Sequence, residues 1–421
     1  MRKLISGILM IVVLCSFTAC QNRNSASGGS QAKIKVAHWD VTTHQYVTPL
    51  IEAFKKANPG ISIEVIDIPS ADYTQRLTVM LNGGSDVDVF WIKDGDTTIS
   101  IANRGQLADL TSYIWLDNVK PSDFHGLVER FTVDNKIVAL PASTGYYVLY
   151  YNKDIFDNMR IPYPSNNMTW AEWERLAERL TSGYGNNKIY GGLLHTWQAC
   201  VQNWGIQDGK HTIMETDYSF FKPYYEMALR MQNAGHIMDY GTLRAGGIHY
   251  SSLFLRGSIA TLPMGTWFFT NVIERIENNE SNIRWGISTL PHPPNAESGW
   301  TVGSVTPIAM NQASRNKDLA WKFINFITGT EGANIYASFG QFPGRTNEKT
   351  LNVIASLHGM PAGAAQALAV KNIALDRPMD LKVGEINQML GEEHSLIMLE
   401  EVSIQRGLDN MARRSRLILG K

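Results

Sequence analysis

The stretch from Leu140 to Trp173 constrains the fold more than any other part of the chain. Leu140-Pro141 opens it, and Tyr146 to Tyr151 is an apolar, aromatic run of strand character. Asn152-Lys153-Asp154 reads as a turn, and Pro162 and Pro164 mark a loop that delivers the chain to Thr169. Thr169 with Glu172 has the capping-box spacing, in which each side chain satisfies a backbone donor that a helix start leaves without a partner. Trp173, Leu176, Ala177 and Leu180 then recur at helical spacing and predict one buried stripe. Strand, loop and capped helix make an α/β unit.

Upstream the same alternation repeats. Lys33 to Trp39 reads as a strand and Tyr46 to Ala57 as a helix, stopped by Asn58-Pro59-Gly60. Ile61, Ile63 and Val65 alternate into a second strand, Tyr73 to Leu81 is a second helix, and Val87 to Trp91 is a nearly all-apolar third strand. Such a run suits a parallel sheet buried on both faces. The succession predicts a doubly wound α/β lobe. Ile283 to Leu290 reads as a later strand, and amphipathic helices fill Glu385 to Leu419.

With 421 residues the chain calls for two or three domains. Its formal net charge of -1 gives no footing for a nucleic-acid partner. Of three cysteines, Cys15 and Cys20 lie in or at the end of an N-terminal apolar run, which leaves Cys200 without a disulfide partner in a mature chain. Residues 1–20 have the layout of a secretory signal: Arg2-Lys3, an apolar stretch from Leu4 to Leu14, then small residues before Cys20. Residues 21–32 are polar and rich in Gly and Ser, as a flexible tether would be.

Several motifs fall in one order. These are Phe54-Lys55-Lys56-Ala57-Asn58-Pro59-Gly60, Leu140-Pro141 with Tyr150-Tyr151-Asn152-Lys153-Asp154-Ile155-Phe156, and Gly257 to Ala260 followed by Gly265-Thr266-Trp267. Leu319-Ala320-Trp321 with Phe323 to Glu331 and Gly340 to Arg345 complete the series. Over residues 33–420 the chain resembles the family 1 extracellular solute-binding proteins of ABC transporters. Asp86-Val87-Asp88 departs from the family pattern, which has Pro-Asp there. The resemblance implies a two-lobed periplasmic-binding-protein-like fold with discontinuous lobes joined by hinge crossings. Residues 33–142 and 300–341 would form lobe 1, and residues 143–299 and 342–421 lobe 2. Phe17-Thr18-Ala19-Cys20 resembles a lipobox, which implies a lipidated Cys20, with ordinary signal cleavage as the alternative.

A sugar presents hydroxyl rims and apolar C–H faces, so its site wants flat aromatic rings beside charged or amide hydrogen-bonding groups. At the strand ends of the first lobe the candidates are Trp39, Asp40 and His44, then Trp91 and Asp94. The spacing of Trp91 and Asp94 is similar to a ligand-contacting pair of maltose-binding proteins. The resemblance adds Trp267 as a stacking ring, and Tyr146, Tyr147, Trp300 and Arg345 beside the crossings. Trp197 lies in a weakly patterned stretch, and Arg345 could equally brace the hinge.

The implied function is non-catalytic. A lipid-anchored, monomeric, extracytoplasmic receptor would bind a mono- or oligosaccharide and hand it to the transmembrane subunits of an ABC permease, without a cofactor or metal. No Walker loop, Gly-x-Ser-x-Gly or His-Glu-x-x-His motif occurs, and His38, Asp40 and His44 have no metal-ligand spacing. A polyol phosphate or polyamine ligand on the same fold, and a secreted glycoside-active enzyme, remain as alternatives.

Overall fold

The computed structural model describes residues 32–421 except 43, 70, 71, 94 and 295, so the signal, the lipobox at Cys20 and almost all of the tether lie outside the described residues. Three parallel strands come first among the described residues. Ala32–Trp39 lies between Ile61–Ile68 and Val89–Trp91, pairing in parallel with both. The helices Val47–Ala57 and Tyr73–Asn82 connect them, the first burying Val47, Leu50, Ile51 and Phe54 along one face. These elements match the sequence pattern within a residue or two. Val89–Trp91 is buried throughout, as its apolar run requires.

Two long strands carry the chain between the lobes. Leu140–Asn152 pairs through its first half with Trp300–Met310, antiparallel, from Leu140 opposite Ile308 to Tyr146 opposite Gly303. Its second half pairs instead with Thr261–Gly265 and Trp285–Thr289. At its other end Trp300–Met310 pairs antiparallel with Val89–Trp91 and so joins the first three strands to the crossing. The short strand Asn372–Leu375 runs parallel to the beginning of Trp300–Met310.

Two large buried cores lie on either side of this crossing. One gathers apolar residues from Ile34 to Ala142 with Ile308 to Tyr336. The other gathers Tyr146 to Leu290, Val302 and Ala337 to Met411. The molecule therefore has the two-lobed α/β architecture that the resemblance implies.

Asp88 stands immediately before the third strand. Its buried carboxylate accepts the Lys35 amide at 2.8 Å and the Ser314 hydroxyl, and so ties the first strand to the loop after the return crossing. The expected turn at Asn152-Lys153-Asp154 is instead a helix start. The Asn152 carboxamide oxygen accepts the amides of Asp154 (2.9 Å) and Ile155 (3.3 Å) and caps the helix Lys153–Met159. The Thr169–Glu172 capping box is present at the head of Trp170–Leu180.

Candidate functional site

Trp267 follows the strand Thr261–Gly265 and precedes the helix Phe268–Glu277. The Thr266 amide donates to the Tyr146 carbonyl at 2.9 Å, which fixes the turn to the crossing strand. The Trp267 ring lies on bare backbone: a Cβ on Gly265 would stand 2.1 Å from it, and one on Gly145 3.3 Å. Tyr147 meets the same ring edge-on, with centroids 5.3 Å apart. Thus Trp267 is held from below and remains 43% exposed.

Trp197, 39% exposed, stands just before the helix Ala199–Ile206 and packs edge-on against His195 and Tyr250. Burial holds His195 down at about 4, so this support is a neutral ring at physiological pH. Tyr147, Trp197 and Trp267 border one cavity of about 320 Å³. Its polar wall comes from Gln198, Gln202 and Asn203 of the helix, with Asn387, Asp376 and Arg377. Gln202 is committed by its amide to the Tyr225 hydroxyl at 2.8 Å, and Gln198 to Asn387 at 2.9 Å. The buried Nδ2 of Asn203 has no partner, an unusual state for a buried donor and one that a ligand acceptor would relieve.

Asp376 and Arg377 follow the strand Asn372–Leu375, and the Asp376 amide donates to the Gly303 carbonyl at 3.0 Å. Burial pushes the Asp376 carboxyl up to about 6 against the pull of the adjacent guanidinium. Both residues also border a second cavity of about 230 Å³, with Lys93, Phe131 and Ser304. Leu375 and Met379 lead on to a third of about 290 Å³, bordered by Glu129, Arg130 and His211. The three cavities share walls and form one cleft beside the crossing strands. A larger cavity of about 460 Å³ between Trp170, Phe220, Tyr224 and Met227 is mostly apolar and borders only the far end of this cleft, at His211.

Several sequence candidates stand elsewhere. Trp91 is 1% exposed, packs against Phe323, and donates its Nε1–H to the Tyr336 hydroxyl at 3.1 Å; it is a core residue. Tyr146 is equally buried, with its hydroxyl on the Leu368 carbonyl at 3.0 Å; alternate side chains of the crossing strand point to opposite faces, so Tyr147, also buried, borders the cavity and Tyr146 does not. Trp39 is buried between His38 and Tyr73 and covered by the Lys93 ammonium 5.5 Å from its ring. His44 donates from Nδ1 to the Asp40 carbonyl at 3.1 Å and packs against Trp39; it does not cap the following helix, whose N-cap is Tyr46. Asp40 takes a left-handed backbone conformation, with φ 44°, at the end of the first strand. Trp300 is packed over Gly209, behind the wall of the third cavity. Arg345 pairs with Asp123 at 2.6 Å, a tie between the two sides of the crossing rather than a cleft contact. Asp94 lies outside the described residues.

Sequence reading missed Asn203, Asp376 and Arg377. The apolar run Ile373-Ala374-Leu375 before Asp376 is a short strand signal that could have pointed to a site at its carboxyl end. Nothing in the local pattern around Asn203 marks its amide as lacking a partner.

Comparison with known proteins agrees with this architecture. The model of the bacterial extracellular solute-binding protein family matches residues 40–334. The chain belongs to that family. A sugar transporter from Rhizobium etli, solved in an open conformation, is 39% identical, with a TM-score of 0.90 over 91% of this chain and 99% of that one. The galactooligosaccharide-binding protein of Bacillus subtilis is 23% identical over 77% of this chain and 76% of its own length. A maltooligosaccharide ABC transporter solute-binding lipoprotein of Streptococcus pneumoniae is 21% identical over 81% and 79%. By their names these relatives are sugar-binding or sugar-transport proteins, and the family is one of extracellular solute-binding proteins.

Proposed function

We propose that this chain is the lipid-anchored receptor of an ABC importer, which binds a saccharide in the cleft and delivers it to a membrane permease. The observation that carries the reading is the pair of exposed rings, Trp197 and Trp267, braced by Tyr250 and Tyr147 above a wall of amides, a carboxylate and a guanidinium. Flat apolar faces beside charge-assisted hydrogen-bonding groups complement a sugar ring. The two cores support the lobe division given above except at Leu127, Val302 and Ala337, which pack in the second core, with closure about Leu140–Asn152 and Trp300–Met310 as the working motion.

The test is a titration of the unlipidated protein, from residue 21 onward, by tryptophan fluorescence and thermal shift against mono- and oligosaccharides, polyols, polyol phosphates and polyamines. Binding to the native state raises stability by RT ln(1 + [L]/Kd), so a saturable response to one saccharide class supports the reading. A response to a polyamine alone would keep the fold and replace the ligand. Turnover of a bound oligosaccharide would make the protein an enzyme. The anchor has its own test: Cys20→Ser releases the protein from membranes if Cys20 carries the lipid, and a variant that stays bound refutes the anchor.

A further inference from the structure

The polar wall of the stacking cavity is oriented from behind. Gln202 borders the cavity from the helix Ala199–Ile206, yet both hydrogens of its amide are engaged away from it. One goes to the Tyr225 hydroxyl at 2.8 Å and the other to the Leu390 carbonyl at 3.2 Å. Only the nitrogen end can face a carbonyl oxygen, so the carboxamide has one orientation and keeps its oxygen for the cavity. Gln198, one turn earlier, is held in the same way, its nitrogen on the carboxamide oxygen (2.9 Å) and the carbonyl (3.3 Å) of Asn387. Asn387 and Leu390 lie on one helix, Val383–Met398, which turns both glutamines alike.

Tyr225 is itself directed. Its hydroxyl accepts from Gln202 and has one hydrogen to give, which goes to Nδ1 of His394 at 3.1 Å. Nδ1 is then bare and Nε2 carries the proton. Burial, with the Arg244 guanidinium, holds His394 down at about 3 and keeps the ring neutral. Nε2 is buried without a partner, an uncommon state. Among the described residues the ring's one hydrogen-bond partner is Tyr225, so its polar role is to fix the direction of that hydroxyl. Gln202, Tyr225 and His394 are each at most 2% exposed, and water does not compete for these bonds.

The next residue supplies the opposite group. Asn203 brings to the same cavity the buried Nδ2 that has no partner. One wall thus carries an acceptor and a donor. Sugar hydroxyls both donate and accept, and satisfy the two. An ammonium only donates and would leave Asn203 unmatched, whereas a phosphate oxygen only accepts and would be turned away by the Gln202 oxygen.

We infer that Tyr225 and His394 are positioning residues, which act through Gln202 to hold the wall's acceptor towards the cavity and so select a hydroxyl-bearing ligand over a polyamine or a polyol phosphate. This rests on the reading of the stacking cavity as the ligand site.

Calorimetric titration of the unlipidated protein with glucose, maltose, maltotriose, galactose and its β-linked dimer, and with spermidine and glycerol phosphate, tests it. A saccharide should bind and the last two should not. Tyr225→Phe and His394→Leu should each weaken that saccharide about tenfold, the size of one buried hydrogen bond, with Tm little changed. His394→Asn, whose carboxamide oxygen stands in for Nδ1, should recover most of the loss, which a merely structural role for the imidazole would not produce. In the ligand-free protein, nitrogen NMR of His394 should report Nδ1 bare and Nε2 protonated; the reverse tautomer overturns the inference without any ligand. A folded Tyr225→Phe protein with wild-type saccharide affinity also overturns it and leaves the sugar reading in place. Binding of spermidine or glycerol phosphate with silence from every saccharide overturns both.

Discussion

Two aromatic groups flank the crossing, built from the same residue types, and they differ in how far they are covered. On the first-lobe side His38, Trp39, Tyr46, Tyr73, Trp91 and Tyr336 enclose one another. Their polar atoms are largely spent internally: Tyr73 donates to the Trp91 carbonyl at 2.6 Å, and Trp91 to Tyr336. On the other side Trp197 and Trp267 each keep one face open. The difference lies in what surrounds each ring. Glycines 145 and 265 let the backbone approach the Trp267 ring, which stays 43% exposed, whereas Phe323, His38 and Tyr336 close in on Trp91, 1% exposed. Trp267 rests on backbone and Trp197 on the rings of His195 and Tyr250, and both border the candidate site.

Substitution of the two rings should separate these roles most sharply. Trp91→Ala is expected to cost about 3–5 kcal/mol of stability, the range for deleting a large core aromatic, with unchanged affinity per folded molecule. Urea unfolding alongside a ligand titration checks it, and a variant that melts normally but binds weakly would move Trp91 into the site. Trp267→Ala should do the reverse, costing about 1–3 kcal/mol of binding with little change in Tm.

Gly265→Ala tests the support rather than the ring. The Gly265 backbone is not in the left-handed region, so alanine brings no strain of its own, but its methyl would occupy the space of the Trp267 ring. The ring must move, and affinity should fall by about 1 kcal/mol, read by calorimetry. Wild-type affinity in a folded Gly265→Ala protein would mean that the position of Trp267 is unimportant.

The pH response should be smallest and of opposite sign in the two regions. Burial holds His38 down at about 3, so its contribution is full above the ordinary histidine value near 6.5 and is lost as pH falls below it towards 3. Asp376 is raised to about 6, so its contribution is full below the ordinary value of 3.8 and is lost as pH rises through 6. Between pH 5 and 7 the ligand-free Asp376→Asn protein should therefore gain about 1–2 °C in Tm relative to wild type. A flat difference would place the Asp376 carboxyl in water.

Much of the fold was legible before any coordinates. The Thr169–Glu172 cap, the stripe behind Trp173, and the strand–helix succession from residue 32 to Trp91 are local patterns whose physics acts within a few residues. The start of a helix at Lys153 was not legible, because Asn152 serves as readily in a turn as in an N-cap. The candidate site was legible only in part. Tyr147, Trp197 and Trp267 meet in one cavity, while Trp91 and Tyr146 are core and Arg345 is spent on Asp123.

By itself the sequence determined the class of fold, the order of its elements and the family, since periodicity, caps and motif order are properties of neighbouring residues. Only the tertiary structure decided which aromatics are open and which polar groups face them. Asn203, Trp267 and Asp376 are separated by 64 and 109 residues along the chain and border one space because two strands cross between the lobes. Whether a ring is covered depends on what arrives from elsewhere in the chain, and no local pattern encodes that.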